Sequence, residues 1–139
     1  MHRSGGFTLF ETLVGLALAT TVAAMGGVRL TELLATARLA TAARTLATTL
    51  RLARGRALAT GTSVETRFDA PGHTYELRDG SGTIEVHGLP RGVLFAVLPA
   101  RSRIVFGALG TADNGTITLA AGSRSRNVVV NQRGRVRFP

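Results

Sequence analysis

Three arginines close the chain in alternation, Arg133, Arg135 and Arg137, with Gly134, Val136 and Phe138 between them. On a strand, alternate side chains share a face, so the spacing predicts three guanidiniums on one side and an apolar face on the other. Such a stripe suits phosphate, because a guanidinium is always charged and presents a planar fork of donors. Arg124 and Arg126 have the same spacing in the preceding segment, and Arg101 and Arg103 are further candidates for the patch. Aromatic residues that would stack on bases are not interleaved with them. Any nucleic-acid binding expected from this pattern is therefore contact with the backbone, as on double-stranded DNA, without sequence preference. A solvated arginine face is the other reading of the same residues.

A second residue stands out by its setting. Glu11 lies in the apolar run FTLFETLVGLALATTVAAMGGV, from Phe7 to Val28, and no further charge follows it before Arg29. A carboxylate inside a membrane helix costs about 2.5–3.5 kcal/mol near the centre, so it is kept where it has a partner. An idle, hydrated acid near a membrane surface is the alternative.

Catalytic chemistry has little support. His2, His73 and His87 are far apart in the chain, no Ser-His-Asp set or carboxylate pair can be assigned, and there is no cysteine. Asp69, Asp79 and Asp113 stand singly at turns, where Asp commonly bonds local backbone. No metal site and no cofactor is expected.

The elements that must position these residues emerge from composition and periodicity. The 139 residues allow one compact domain plus an extension, and 45% hydrophobic with 18% charged excludes a disordered polar chain. All 17 basic residues are arginine, against 8 acidic ones, for a net charge of +9. That makes nucleic acid and anionic lipid candidate partners, while biased base composition gives the same arginine count without any functional pressure. About 20 apolar residues cross roughly 30 Å of hydrocarbon, so 7–28 reads as a transmembrane segment, made modest by its Thr and Gly. A cleaved secretory signal competes with this, but Gly5-Gly6 precedes the apolar run and Glu11 sits in its first turn.

Past Arg29 the apolar residues recur at steps of three and four: Leu30, Leu33, Leu34, Ala37, Ala40, Ala43, Leu46, Ala47, Leu50, Ala53 and Ala57. One helix from about Thr8 to Ala59 is predicted, with a weak point at Gly26-Gly27 and a stop at Gly61. The remainder changes to period two, predicting short antiparallel strands at 64–68, 75–77, 84–86, 93–97, 104–106, 117–119, 128–130 and 136–138, with Asn114-Gly115 as the clearest hairpin turn. In this reading Ile84 and Val86 share one inward face, as do Phe95 and Val97. So few residues bury little core alone, so the amphipathic helix becomes their missing layer. The fold class is α+β: a long N-terminal helix, transmembrane in its first half and amphipathic in its second, on small antiparallel sheets.

The amino-terminal segment Ser4-Gly5-Gly6-Phe7-Thr8-Leu9-Phe10-Glu11 resembles the prepilin cleavage and methylation motif of type IV pilins and type II secretion pseudopilins. The resemblance implies a leader at 1–6, cleavage after Gly6 by the prepilin peptidase, N-methylation of Phe7, and assembly through Glu11 paired with a neighbouring subunit's amino terminus. The rest resembles the GspH and FimT type minor pilins, through Thr41–Leu46 and Leu50–Arg54, Ile104–Phe106 with Gly110 and Gly115–Leu119, and Val128–Asn131 with Gly134–Arg137. It implies the division 1–6 leader, 7–28 membrane segment, 29–60 amphipathic helix and 61–139 periplasmic β domain. It also implies inner-membrane insertion, partners among other pilins or pseudopilins, and a filament subunit of type II secretion instead of an enzyme. Gly134-Arg135-Val136-Arg137 further matches the arginine motif by which FimT type pilins are held to bind DNA, which makes DNA uptake the alternative function. A membrane-anchored periplasmic enzyme is a third reading, and it would need a polar pocket that the sequence does not advertise.

Overall fold

Alanine and leucine are the commonest residues in the first third of the chain and no proline interrupts it, so helix is the favoured backbone there. The computed structural model describes residues 8–138, with the backbone alone at 25–29; Gly6 and Phe7 lie outside the described residues. Helix α1 runs from Leu9 to Thr60, unbroken through the glycine pair at 26–27. Gly61 ends it with a positive φ of 66°, donating its N–H to the Ala57 carbonyl at 3.0 Å.

The chain divides into two compact units after Leu34. In the first, α1 carries an apolar surface that is exposed, including Leu9, Phe10, Leu16, Leu18 and Val22. Its threonines turn their hydroxyls onto the helix itself: Thr12 donates to the Leu9 carbonyl at 2.8 Å, Thr20 and Thr21 to that of Ala17 at 2.9 and 2.8 Å. The hydroxyls of these three threonines are thereby satisfied without solvent. Among the described residues no helical stretch is long and apolar enough to cross a membrane. The span expected over 7–28 includes Phe7 and 25–28, whose side chains are not described.

In the second unit, eight strands pack against the remainder of α1. They are β1 (Val64–Asp69), β2 (Thr74–Asp79), β3 (Gly82–Gly88), β4 (Leu94–Val97), β5 (Arg103–Phe106), β6 (Gly115–Ala121), β7 (Arg124–Val130) and β8 (Val136–Arg137). They form two antiparallel sheets, ordered β3-β2-β1-β5 and β4-β6-β7-β8. The helix face that closes on them is Leu39, Ala42, Ala43, Leu46, Ala47, Leu50, Ala53 and Ala57, all buried. Alanine at more than half of these positions lets the sheets approach the helix closely. Against it lie Val64, Phe68, Tyr75, Leu77, Ile104 and Phe106 of the first sheet and Phe95, Ile117, Leu119, Val128 and Val130 of the second. The expected stripe starts earlier, at Leu30. The core closes at Leu39, however, and Leu30, Leu33 and Leu34 are exposed.

The sheets correct the strand reading in two further ways. Register shifts after Leu77 and after Phe95 insert an extra residue into one partner, which reverses the facing of the residues beyond it. Val86 and Val97, expected inward, are exposed, and His87 turns in to stack on Tyr75 with centroids 5.0 Å apart. Asn114-Gly115 is not a hairpin turn, because β5 pairs with β1 and β6 with β4 and β7. The chain changes sheet there. The constraint on Gly115 is proximity: a Cβ would lie 2.7 Å from that of Pro99.

Candidate phosphate-binding surface

The carboxy-terminal arginines are positioned by a turn. Gly134 has a φ of +68°, its N–H donates to the Asn131 carbonyl at 2.8 Å, and the Asn131 N–H donates to the Arg135 carbonyl at 3.2 Å. The Asn131 side chain accepts from the Arg135 N–H at 2.9 Å and closes the turn. The strand expected at 136–138 is Val136–Arg137, and Arg133 belongs to the turn that precedes it. Strand alternation therefore does not align the three guanidiniums. The turn gathers them instead: Arg133, Arg135 and Arg137 line one open cavity of about 600 Å³, with Asn114, Thr116 and Asn131.

A second cavity of about 380 Å³ is lined by Gly134, Arg135, Val136 and Arg137 and by Arg51, Arg54, Gly55 and Leu58 of α1. The Arg54 Nε donates to the Gly110 carbonyl at 3.1 Å, and an Arg51 Nη reaches the Val136 carbonyl at 3.5 Å. Sequence reasoning leaves these helix arginines out of the patch. Their spacing of three, with Leu58 one turn on, is the available sign that they share a face. No acidic residue lines either cavity.

Arg124 and Arg126 do not extend this patch. They line a separate cavity of about 430 Å³ with Thr36, Leu39 and Asn127. Arg137 is opposite Val129, at the far end of β7. From there to Arg124 is roughly 17 Å at 3.4 Å per residue. Arg124 and Arg126 also share the alternation of Val128 and Val130, whereas Arg137 pairs with a residue of the opposite face. Arg103 is bound elsewhere, 3.5 Å from Glu65, and Arg101 lies in the short 3-10 turn at Ala100–Ser102 with a φ of 62°.

Charge is divided between the sheets. Glu65, Asp69, Glu76, Asp79 and Glu85 all fall on β1, β2 and β3, while β4, β6, β7 and β8 contain no acid. The acids of the first sheet are largely paired: Arg67 with Glu65 at 3.0 Å, Arg78 with Glu76 at 3.0 Å and Arg56 with Asp79 at 3.3 Å. The bond from Arg78 holds the Glu76 carboxyl below its usual value, with help from Thr83. Asp79 is lowered by bonds from the Ser81 hydroxyl and N–H and by Arg56. Burial raises Tyr75. The strands of the second sheet carry no acid to pair with their arginines in this way.

Glu11 occupies the first turn of α1, exposed, and its N–H donates to the Thr8 carbonyl at 3.0 Å and to the Thr8 hydroxyl at 3.3 Å. Thr8 thus caps the helix, and a carboxylate in the first turn suits the helix dipole. Among the described residues no cationic side chain lies within ion-pair distance of Glu11, and no three His, Asp or Glu side chains gather as a metal site would require.

A helix whose carboxyl half closes two small antiparallel sheets, and whose amino half presents apolar side chains, is the fold of a pilin-like filament subunit. The family model for type II transport protein GspH matches residues 42–134, and the chain belongs to that family of pseudopilins and minor pilins. Among solved structures it is similar to the type IV minor pilin FimU of Pseudomonas aeruginosa, with 19% identity and a TM-score of 0.61 over 73% of this chain and 87% of that one. It is also similar to the minor pseudopilin EpsH of the type 2 secretion system of Vibrio cholerae, with 13% identity and a TM-score of 0.62 over 73% of this chain and 96% of that one. No curated protein matches its sequence.

Proposed function

We propose that this chain is a minor pseudopilin of type II protein secretion, a structural subunit and not an enzyme. The observation that carries the reading is the GspH match over 42–134, joined to an amino-terminal helix with exposed leucines at 9, 13, 16, 18, 30, 33 and 34. The precursor is held in the inner membrane by 7–28 with its β domain in the periplasm. The prepilin peptidase removes 1–6 by cleavage after Gly6 and methylates Phe7. The helix then packs on the helices of neighbouring subunits in a periplasmic pseudopilus, with Glu11 receiving a neighbour's amino terminus. Intact-mass analysis of the protein from cells with and without the peptidase tests this. A mature amino terminus at Phe7 carrying one extra methyl is expected, and an uncut chain in the presence of the peptidase would remove the reading. Glu11→Ala is expected to be cut normally but to be depleted from filaments; normal incorporation would end the role given to Glu11.

A second reading, a minor pilin that binds DNA during uptake, is favoured by one feature: Arg133, Arg135 and Arg137 line a single cavity without an acid. Its test is a mobility shift with duplex DNA across a salt series. Binding that falls steeply with salt and is lost in Arg135→Ala/Arg137→Ala supports uptake, whereas absence of binding near physiological salt leaves secretion alone.

A further inference from the structure

The cavity between α1 and the carboxy-terminal segment has two arginine walls. Arg51 and Arg54 stand three residues apart on the helix, and Arg135 and Arg137 face them. Gly55, between the helix arginines and Leu58, has open space above its α-carbon, so no side chain fills the groove there. Arg54 is half-buried and oriented by its bond to the Gly110 carbonyl, while Arg51 is exposed and its guanidinium reaches the Val136 carbonyl at 3.5 Å. Like charges at one groove repel, and no acid in the lining offsets them, so an anion entering the groove is favoured.

Arg135 and Arg137 line this groove and also the larger cavity that holds Arg133. The carboxy-terminal segment is thus a ridge with a cationic trough on each side. A single carboxylate would fill one trough. A phosphodiester backbone presents anions in series and can occupy both, which suits two open troughs joined by shared arginines on an acid-free sheet.

We infer that Arg51, supported by Arg54, carries the phosphate-binding surface from the carboxy-terminal segment onto α1 and holds a phosphate of its own. The inference rests on the DNA reading and extends it to the helix.

The test is fluorescence anisotropy of a labelled duplex with the full chain in a neutral detergent, from low to high salt. Its variants are Arg51→Ala, Arg51→Lys, the triple Arg133→Ala/Arg135→Ala/Arg137→Ala, and Arg67→Ala on the first sheet. One phosphate contact contributes about 0.9 to the log-log salt slope, so Arg51→Ala is expected to flatten the slope by about that and to weaken binding about five- to tenfold at 0.1 M salt. Arg51→Lys should keep the slope and Arg67→Ala should bind as the parent does. If the parent does not bind, or the triple variant binds equally well, the DNA reading falls and the inference with it. If the triple variant loses binding while Arg51→Ala keeps both slope and affinity, the inference alone falls. Polyglutamate competing better than duplex of equal charge would assign the groove to an acidic protein and overturn it as well.

Discussion

A methyl group added to Gly134 would sit 2.8 Å from the Nε of Arg54 and closer still to the carbonyl oxygen of Gly110, the same oxygen that Arg54 holds. The carboxy-terminal turn and α1 therefore meet where no side chain fits. Gly134 is required twice, for its φ of +68° and for this approach. Gly134→Ala is expected to cost about 2–4 kcal/mol, the left-handed backbone accounting for about 1–2 of it. Gly122, with a φ of +58° and open space around its α-carbon, isolates the backbone part. Thermal unfolding should show Gly122→Ala losing roughly half as much or less; equal losses would mean that the contact with Arg54 contributes nothing.

Thr66 lies fully buried in β1, opposite Leu77 and Ile104, and its hydroxyl has no partner. With no partner among the described residues, its burial leaves a desolvated polar atom that water would have bonded in the unfolded chain. Thr66→Val keeps the shape and removes that atom, so it should stabilise the protein by about 1–2 kcal/mol. A denaturant midpoint that rises with an unchanged m value supports this. A lowered midpoint would mean that the hydroxyl has a bond, such as one to an internal water.

What could be read from sequence and what could not divides along physical lines. The helix with its stop at Gly61, the α+β class and most core residues were legible, because periodicity and caps are local signals. Where β2–β3 and β4–β6 slip by one residue was not, since a bulge has no residue signature in Ile84 or Val97 themselves. Asn114-Gly115 carried a hairpin signal, yet Gly115 answers to Pro99 on a neighbouring segment, a tertiary demand that outweighs turn preference. At the candidate surface, the alternation of Arg133, Arg135 and Arg137 was visible. The Asn131–Arg135 turn is local, closed by bonds three and four residues apart, whereas the helix arginines across from it depend on how distant segments meet.

The two lowered carboxylates and the raised phenol each contribute to how the stability of the second unit varies with pH. Asp79 and Glu76 titrate below their usual values of about 3.9 and 4.3, so their stabilisation is present above those values and is lost as pH falls through the lower folded ones. Tyr75 titrates above its usual value of about 10, so its contribution holds below pH 10 and is lost as pH rises past it. Melting temperature against pH should therefore be level between about 5 and 9 on account of these groups and fall on either side. Ser81→Ala, which removes the hydroxyl bond to Asp79, should flatten the acid limb, and Tyr75→Phe the alkaline one. Limbs left unchanged by both would assign the pH dependence to other residues.

Leu33 and Leu46 separate folding from assembly on one helix. Leu46 is fully buried against the sheets, and truncating such a leucine to alanine costs about 2.7–5 kcal/mol. Leu33 is 67% exposed, in an apolar group with Leu30 and Leu34, and its loss should change stability by no more than about 0.5 kcal/mol. An apolar surface of that kind is buried in an assembly if anywhere, at about 25 cal/mol for each Å² removed from water. Leu33→Ala is thus expected to fold and be processed like the parent yet to be depleted from cross-linked filaments, whereas Leu46→Ala should lower the amount of folded protein in cells before assembly begins. Equal recovery of Leu33→Ala and the parent in filaments would show that this part of α1 does not carry the packing between subunits, and the interface would then lie nearer Glu11.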